Sequence, residues 1–267
     1  MKNVVITGAS SGIGLATAKL FVKKSYQVYC LSRRPCDLKK VINIKCDITD
    51  EQQVKEAFEQ IPKIDVLLNN AGYGISGATE FTELSEMRNQ FELNVFAHMT
   101  VTKAALPKLK ESKGKIIFIS SAAALFAIPF QAFYSATKAA IESLAAALKN
   151  ELKMFGVDVS CVRLGDVKTD FTAQRVKNFV GDDEYGGLIG RSIAVMERDE
   201  QNGMSAKTIA KALYKLSRKK RMPVMITVGL RYQFLVFLNN LVPINLVNKI
   251  IGAMYMPKPE YRRKRGY

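Results

Sequence analysis

The sequence contains no tryptophan, a single histidine and few cysteines, and each shortage removes a class of chemistry. With His98 alone, neither a histidine-based triad nor a multi-histidine metal site can form. The cysteines, Cys30, Cys36, Cys46 and Cys161, form no CxxC pair and no metal-ligand spacing, so we expect no metal. Three of them lie in apolar runs, where a thiol packs as a small hydrophobic group. This use of cysteine suits a reducing compartment, and we expect a cytoplasmic protein.

The sequence also lacks an apolar run of the ~20 residues that a membrane-spanning helix needs. The nearest candidate, FLVFLNNLVPINLV at 234–247, is interrupted by Asn239, Asn240, Pro243 and Asn245. The opening stretch, MKNVVITGASSGIG, leads into a glycine loop instead of a cleavage site, so we do not expect a signal peptide.

Acidic residues are scarce, with 24 Asp and Glu against 40 Lys and Arg, which gives a net charge of +16. Such a balance favours anionic partners. The excess is concentrated in RKKR at 218–221 and RRKR at 262–265, and aromatic residues do not alternate with these clusters as they do in single-strand binders. We therefore expect no nucleic-acid partner, and at most a weak peripheral contact with an anionic membrane.

Short apolar strands alternate with longer amphipathic helices along most of the chain. The pattern predicts strands in NVVITG, QVYCLSR, VINIKCD, DVLLNN, GKIIFISS, VDVSCVRLG and MPVMITV. Helices are predicted over about 12–24, 50–60, 85–105 (ending near Pro107), 132–154 and 205–216. This alternation predicts an α/β fold, a single doubly wound Rossmann domain with a parallel sheet of about seven strands and helices on both faces.

No linker divides the chain, so residues 1–257 are expected to form one domain. Glycine and polar residues over 166–203 predict a mobile substrate loop with short helices. Residues 229–256 carry few charges and predict apolar C-terminal helices. The basic tail at 258–267 is expected to be disordered.

Glycines separate the first predicted strand from the first helix in VVITGASSGIG. Glycine lets the backbone approach a pyrophosphate, and a helix N-terminus offers free N–H groups and a favourable dipole. The loop therefore predicts a dinucleotide site, with contacts from Gly8, Ser10, Ser11, Gly12, Ile13 and Gly14.

The end of the second strand, CLSRRP, is basic where an NAD-preferring site carries an acid. Ser32 occupies the position of that acid, and Arg33 and Arg34 follow. A guanidinium can bind the 2′-phosphate of NADP bidentately. We therefore predict NADP(H) as the cofactor, with Ser10 as a second donor to the phosphate.

Tyr134 and Lys138 lie four residues apart in FYSATKAAIESL, on the same face of the predicted helix. An ordinary tyrosine has a pKa of ~10 and is a poor proton shuttle at neutral pH. A neighbouring ammonium stabilises the phenolate and lowers that pKa. The pair therefore predicts a proton relay.

Together, these motifs resemble the short-chain dehydrogenase/reductase family. The resemblance is carried by TGxxxGIG from Thr7 to Gly14, by NNAG at 69–72, and by a Ser…Tyr-x-x-x-Lys array in which Ser121 precedes Tyr134 by thirteen residues. It is strong over roughly the first 170 residues and thins beyond them.

The resemblance implies a role for each catalytic residue. Tyr134 donates a proton to the substrate carbonyl during reduction, while Lys138 lowers its pKa and binds the nicotinamide ribose. Ser121 hydrogen-bonds the carbonyl oxygen, and Ser120 is the rival serine, one residue off the usual spacing. Asn94 holds a water that links Lys138 to solvent. The nicotinamide supplies the hydride.

The resemblance also implies contacts to the rest of the cofactor. They come from Asp47 to the adenine, from Asn70, Ala71 and Gly72 beside the adenosine ribose, and from Val167 and Thr169 to the nicotinamide carboxamide. One position departs from the family, since Leu164 replaces the proline of its Pro-Gly pair. The loss of that fixed φ angle leaves the entry of the following loop open.

The stretch LFAIPFQAFYSATKAAIESL is similar to hydroxysteroid dehydrogenases of the 17β type and to retinol dehydrogenases. Leu125, Phe126, Ile128 and Phe130 would line an apolar pocket for a lipophilic ketone. We expect a hydroxysteroid or, given the positive charge, a bile acid. Reduction of retinoid or acyl ketones and a non-catalytic NADP(H)-binding sensor are the alternatives. The resemblance also implies a homodimer, or a tetramer, paired through the helices near 85–105 and 132–154.

Overall fold

The computed structural model describes residues 1–257, so the predicted basic tail at 258–267 lies outside the described residues. Within residues 1–257, seven parallel strands form the central sheet in the order β7-β6-β5-β4-β1-β2-β3. They are β1 (Asn3–Thr7), β2 (Gln27–Ser32), β3 (Val41–Lys45), β4 (Val66–Asn69), β5 (Lys115–Ser121), β6 (Asp158–Leu164) and β7 (Met225–Val228). The predicted fold class is confirmed.

Helices cover both faces of this sheet. They are α1 (Gly12–Lys23), α2 (Glu51–Glu59), α3 (Leu84–Phe91), α4 (Ala97–Ser112), α5 (Ala132–Glu151), α6 (Phe171–Gln174), α7 (Leu188–Gln201), α8 (Ala206–Ser217), α9 (Leu230–Asn239) and α10 (Ile244–Tyr255). Successive strand residues point to opposite faces. Val5 therefore packs with α2, α4 and α5, whereas Val4 and Ile6 pack with α1 and α8.

The long helix predicted over 85–105 is present, but its predicted end near Pro107 is wrong. The helical stretch consists of α3, a π-helical turn at Glu92–Phe96, and α4, which passes through Pro107. A proline inside a helix removes the hydrogen bond to the carbonyl four residues earlier, here that of Lys103. Both residues are exposed, so solvent can hydrate that carbonyl, while buried Leu109 holds the last turn against the core.

Residues 166–203 contain more regular structure than predicted. In place of short helices alone, α7 spans 14 residues and buries Ile189, Ile193 and Met196. Two short parallel ladders join Val167–Lys168 to Met204–Ser205 and Ile75–Ser76 to Val176–Lys177. Gly186, Gly187 and Gly190 lie just before α7 and in its first turn, so the sequence pattern there favours a loop and hides the amphipathic helix. A substrate-binding role for this region stays a prediction.

The apolar segment at 229–256 folds into α9 and α10, with a break before Pro243. In the described part of the chain, no helix combines the length and apolarity needed to cross a membrane. All four cysteines are buried and free, as expected for thiols that pack as apolar groups.

Candidate active site

A cleft of about 1010 Å³ opens at the carboxyl ends of the strands, where the strand order reverses between β1 and β4. Most of the predicted site residues line this one cleft: Gly8, Ser10, Ser11, Gly12, Ile13, Arg33, Arg34, Asp47, Asn70, Ala71, Gly72, Ser121, Tyr134, Lys138, Val167 and Thr169. Gly14 and Asn94 instead contact residues of its wall.

The glycine loop brings the start of α1 against the end of β1. A Cβ at Gly14 would overlap the Gly8 carbonyl oxygen and lie 2.7 Å from Nδ2 of Asn70, so only glycine fits there. Within the described chain, Ser11 at the N-cap of α1 makes no side-chain cap hydrogen bond. The first N–H groups of α1 therefore remain free to bind an anion.

Thr7 joins the glycine loop to the NNAG segment. Its Oγ1 accepts hydrogen bonds from the backbone N–H groups of Asn70 and Ala71, at 2.9 and 3.1 Å. In return, Asn70 Nδ2 donates to the carbonyl oxygens of Thr7 at 3.0 Å and Gly8 at 3.3 Å. The two motifs recognised separately in the sequence thus form one hydrogen-bonded wall.

His98 supports that wall from the core. Its Nε2 lies 2.8 Å from the Ala71 carbonyl oxygen, and the ring is fully buried. Burial, with a smaller contribution from the Lys138 charge, lowers the pKa of His98 to about 3. The lone histidine is therefore a neutral structural donor.

We expect His98 to make the protein less stable as the pH falls. Its folded pKa lies below the unfolded value, so the unfolded chain binds the extra proton below about pH 6.5 and stability falls by up to about 1.4 kcal/mol per pH unit. A His98→Gln variant, which can still donate to Ala71, should show a shallower decline. Urea unfolding of both proteins between about pH 7 and pH 5 measures the difference; identical pH slopes would rule out this role.

Arg33 and Arg34 stand exposed at the end of β2, on the cleft. Their turn is fixed from both sides, because Ser32 Oγ donates to the Arg34 carbonyl at 2.5 Å and Asn43 hydrogen-bonds the backbone of Cys36 at 2.8 and 3.1 Å. Within residues 1–257, neither guanidinium forms an ion pair. Asn43, on β3, is a positioning residue that no sequence spacing revealed.

Asp47 and Thr169 lie at two further edges of the cleft. The Asp47 carboxylate accepts hydrogen bonds from the N–H and hydroxyl of Thr49, at 3.1 and 2.8 Å, so its orientation is fixed by its own turn. Thr169 faces the start of α1, where a Cβ on Gly12 would lie 3.5 Å from its own Cβ. Their predicted contacts to a cofactor stay predictions.

Helix α5 places Tyr134 and Lys138 in the same wall of the cleft. Nζ of Lys138 lies 5.5 Å from the centroid of the Tyr134 ring and donates a hydrogen bond to the Ile119 carbonyl oxygen at 3.1 Å. Ile119 is on β5, two residues before Ser121, so the same strand holds the ammonium and carries the serine.

Burial governs the acidity of this pair. It raises the pKa of Tyr134 to about 12, although the adjacent Ser121 hydroxyl and the Arg175 charge act in the opposite direction. It also lowers the pKa of Lys138 to about 8. The sequence predicts a lowered Tyr134 pKa, and the structure of the chain by itself raises it instead, because lost hydration of the phenolate outweighs the Ser121 hydrogen bond and the Arg175 charge.

Asn94 is fully buried in the π-helical turn that interrupts the predicted long helix. Its Oδ1 accepts from the Tyr73 N–H at 3.1 Å, and its Nδ2 donates to the Tyr73 carbonyl at 2.9 Å and to Thr137 Oγ1 at 3.2 Å. The turn thus ties the backbone after NNAG to α5, next to Lys138. The water-holding role that the resemblance implies for Asn94 stays a prediction.

The two candidate serines at the end of β5 have different surroundings. Ser120 is buried and donates to Glu142 at 2.9 Å, and Glu142 accepts two hydrogen bonds from Arg163 at 2.7 and 2.6 Å. Ser121 is partly exposed in the cleft, where its Oγ accepts from the Ala123 N–H at 3.2 Å. Ser120 is thus engaged in a structural ion-pair network, which leaves Ser121 to face a substrate.

Where Leu164 replaces the proline of the family's Pro-Gly pair, a residue of α9 packs against the backbone. Leu164 ends β6 in the core, and a Cβ on Gly165 would overlap the ring of Tyr232. The Tyr232 hydroxyl also donates a hydrogen bond to the Asp166 carboxylate. A tyrosine from the C-terminal segment therefore packs onto the backbone where the family carries its Pro-Gly pair, and fixes the entry of the loop.

A buried ion pair that the sequence pattern did not reveal lies close to Tyr134. Arg175, whose side chain is 1% exposed, pairs with Glu200, and Glu200 also accepts from Thr172 Oγ1 at 2.5 Å. Arg175 lies over the Phe171 ring at 5.7 Å, and that ring lies 5.8 Å from the Tyr134 ring. The two charges shift the Tyr134 pKa in opposite directions.

A second cavity, of about 180 Å³, lies beneath α9 and α10. Phe126 and Ile128 line it, as the sequence predicts for an apolar pocket. The other two predicted residues do not, since Leu125 lines neither cavity and Phe130 packs against Tyr185. Five residues line both cavities: Ser121, Ala123, Ile128, Gly165 and Asp166. The apolar cavity therefore adjoins the cleft at the serine.

Comparison with known proteins decides the family. The sequence profile of the short chain dehydrogenases matches residues 2–179. The chain belongs to the short-chain dehydrogenase family. The dehydrogenase is 38% identical, over 85% of its length and 87% of the relative's, to a 3-ketodihydrosphingosine reductase of Bacteroides thetaiotaomicron. It is 33% identical, over 79% of its own length and 82% of the relative's, to an NADPH-dependent 3-dehydrocapnine reductase of Ornithobacterium rhinotracheale.

A solved short-chain dehydrogenase from Streptomyces avermitilis has the same fold, with a TM-score of 0.77 at 27% identity over 90% of this chain and 93% of that one. This dehydrogenase is thus an oxidoreductase of a family that binds a nicotinamide cofactor. Its cleft fits such a group, because the start of α1 has free N–H groups and the glycine loop lines the cleft with Gly8 and Gly12, which have no side chain to block it.

Proposed function

We propose that this dehydrogenase uses NADPH to reduce a ketone on a lipophilic substrate, and that this substrate is a long-chain keto lipid. One observation carries the proposal. Ser121 lines both the cleft with the dinucleotide loop and the apolar cavity beneath α9 and α10. A carbonyl held at Ser121 would have its polar end beside Tyr134 and its hydrocarbon in the apolar cavity.

The proposed roles follow from where each group lies. A bound nicotinamide supplies the hydride that reduces the carbonyl carbon. Tyr134 gives its phenolic proton to the carbonyl oxygen, and the Ser121 hydroxyl donates a hydrogen bond to the same oxygen as negative charge develops. Lys138 stabilises the resulting phenolate by its positive charge. The product is the secondary alcohol.

The preference for NADPH rests on Arg33 and Arg34. Two exposed guanidinium groups on one fixed turn, without a carboxylate partner within residues 1–257, suit a phosphate on the adenosine ribose. Ser10 lines the same cleft and can add a donor. The cofactor named for the Ornithobacterium relative supports this choice.

The substrate class is supported by the relatives and by local charge. 3-Ketodihydrosphingosine carries an amine beside its ketone on a long alkyl chain. Asp166 lines the cleft and acts on the Tyr134 pKa as a negative charge, whereas the charge of Glu200 is offset by its ion pair with Arg175. Asp166 therefore offers a substrate ammonium a negative partner beside the proposed carbonyl site. A bile acid carries no ammonium beside its ring ketone to pair with that carboxylate. Keto lipids with an amine are therefore preferred over bile acids, and neutral steroid ketones remain the second candidate.

A ketone panel tests this assignment. The assay follows NADPH and NADH oxidation with 3-ketodihydrosphingosine, a neutral steroid ketone, a ketone of a bile acid, a retinoid and an acyl ketone, side by side. We expect the amino-keto lipid with NADPH to give the highest kcat/KM. Preference for the bile acid would contradict the charge argument, and tight NADPH binding with no turnover of any ketone would favour the alternative of a non-catalytic sensor.

The lowered pKa of Lys138 predicts the pH dependence of cofactor use. Because Lys138 loses its proton as the pH rises through about 8, its charge is present below that pH and absent above it. We expect kcat/KM for NADPH, which reports the free enzyme, to fall above about pH 8. A Lys138→Arg variant, which stays charged, should lack this fall in whatever activity it retains. A wild-type profile that stays flat to about pH 10 would contradict the assignment.

The expected homodimer, or tetramer, through α4 and α5 stays a proposal. Phe96, at the start of α4, is 56% exposed and offers an apolar contact at that surface. Light scattering of the wild type and of Phe96→Ser would show whether the chain associates there.

A further inference from the structure

The C-terminal helices carry a large exposed apolar surface. We call it the C-terminal surface and define it by side chains that are between 41% and 84% exposed: Leu230, Phe234, Phe237, Leu241, Ile244, Leu246, Ile250, Met254 and Met256. Single exposed apolar residues are ordinary, but a contiguous group of this size marks an interaction site. No other stretch of comparable length in residues 1–257 exposes as many large apolar side chains.

Helix α10 is apolar on both of its faces. Val247 and Ile251 are buried, whereas Ile244 and Leu246 are exposed and do not line the cavity; Ile250 and Met254 line the cavity and are also partly exposed to solvent. Its polar residues are Asn245, Asn248 and Lys249, and they leave much of the exposed side apolar. α9 has no fully buried residue, and its Leu230, Phe234 and Phe237 also lack cover within the described chain. Something outside residues 1–257 must cover this surface.

The opposite side of the same helices lines the cavity that reaches the catalytic serine. Leu235 and Leu238 of α9 and Val247 and Ile251 of α10 face Ser121 across it. A hydrophobic molecule that enters between α9 and α10 from the C-terminal surface would thus arrive at the reacting end of the site. Helices α9 and α10 thus separate the C-terminal surface from the cavity that reaches Ser121.

Charge identifies what covers the surface. Residues 229–256 contain no Asp or Glu and carry Arg231 and Lys249, and the sequence continues with Arg262, Arg263, Lys264 and Arg265. Because residues 229–256 carry only positive charges, two copies of this surface placed face to face would repel each other, whereas an anionic bilayer attracts it. An apolar face bordered by basic residues is what a helix lying in the plane of an anionic membrane presents.

We propose that α9 and α10 rest in the interface of an anionic lipid bilayer, and that the lipid ketone passes from the bilayer through the apolar cavity to Ser121. The second half of this statement rests on the proposed function, while the first does not. The helices lie in the interface and do not cross it, in keeping with the absence of a spanning helix in residues 1–257.

Vesicle sedimentation without substrate tests the first half. The probes are phosphatidylcholine vesicles with and without phosphatidylglycerol. We expect the full chain to sediment with the anionic vesicles and to be released by salt. The variant Phe234→Ser/Phe237→Ser/Leu241→Ser, which changes only outward-facing residues, should lose at least about tenfold in partitioning.

A matched control uses three exposed apolar residues that lie outside both the C-terminal surface and the proposed dimer contact: Ile42→Ser/Leu84→Ser/Met154→Ser. It should bind anionic vesicles like the wild type. Equal loss in both variants, or no sedimentation of the wild type, would overturn the proposal. So would a wild-type dimer, seen by light scattering, that only the C-terminal triple variant converts to monomer, since the surface would then join two copies.

Activity on vesicle-borne ketone tests the second half. If 3-ketodihydrosphingosine is reduced in detergent, we expect the C-terminal triple variant to keep that rate and to lose at least about tenfold on the same ketone in anionic vesicles. Equal rates in both media would overturn the route through the membrane and leave the proposed reductase intact. No reduction in either medium, with vesicle binding retained, would remove the proposed substrate and leave the membrane surface standing.

Discussion

Replacing Tyr134 by phenylalanine should lower kcat for ketone reduction by about 10²- to 10⁴-fold, the usual contribution of a positioned proton donor. The change removes one oxygen and keeps the ring, so its packing against Phe171 is preserved. NADPH binding, followed by fluorescence, should change little. The two measurements together separate loss of a proton donor from loss of the cofactor site.

Tyr214→Phe is the matched control for that variant. Tyr214 lies on α8, packed against Phe21 and Tyr26 far along the chain from α5, and its change also removes one phenolic oxygen. It should leave kcat unchanged. Retention of most activity by Tyr134→Phe would mean that another group delivers the proton, and Tyr134 would then not be the proton donor.

The second large effect is expected at the end of β2. An Arg33→Ala/Arg34→Ala variant should raise the KM for NADPH by about 100-fold or more, because each charge-assisted hydrogen bond to phosphate contributes roughly 1.5–3 kcal/mol. The KM for NADH should barely change, since NADH lacks the 2′-phosphate. Initial rates with both cofactors measure the ratio.

The control Lys39→Ala/Lys40→Ala removes the same net charge from exposed residues a few positions away. It should leave the NADPH preference intact, apart from a small loss of long-range attraction at low salt. If the KM for NADPH rises to the same degree in both double variants, the effect comes from overall charge. If neither does, the phosphate site lies elsewhere.

The fold was predictable because its signals are local. Alternation of apolar strands with amphipathic helices, and a glycine loop between the first pair, suffice for a doubly wound sheet. The π-helical turn at Glu92–Phe96 and the continuation of α4 through Pro107 were not predictable in this way. Whether a helix tightens, bulges or tolerates a proline depends on what covers each face, and that is decided by tertiary packing.

The candidate site was predictable as a set of residues, but its energetics were not. Tyr134 and Lys138 share a helix face by spacing alone, yet burial raises the pKa of the phenol, and the sequence contains no measure of burial. The pair of Arg175 with Glu200 and the contact of Tyr232 with Gly165 join segments far apart in sequence. Such contacts leave no periodic signal.

Hydride transfer to a lipid ketone is the central claim, and isotope transfer tests it most directly. The dehydrogenase is incubated with 3-ketodihydrosphingosine and NADPH that carries deuterium at the transferred position, and the lipid product is analysed by mass spectrometry. We expect one deuterium at the new carbinol carbon for each NADPH oxidised. The Tyr134→Phe variant should form almost no deuterated alcohol on the same timescale. Product without deuterium, or NADPH bound tightly with no lipid alcohol formed, would contradict hydride transfer to the ketone.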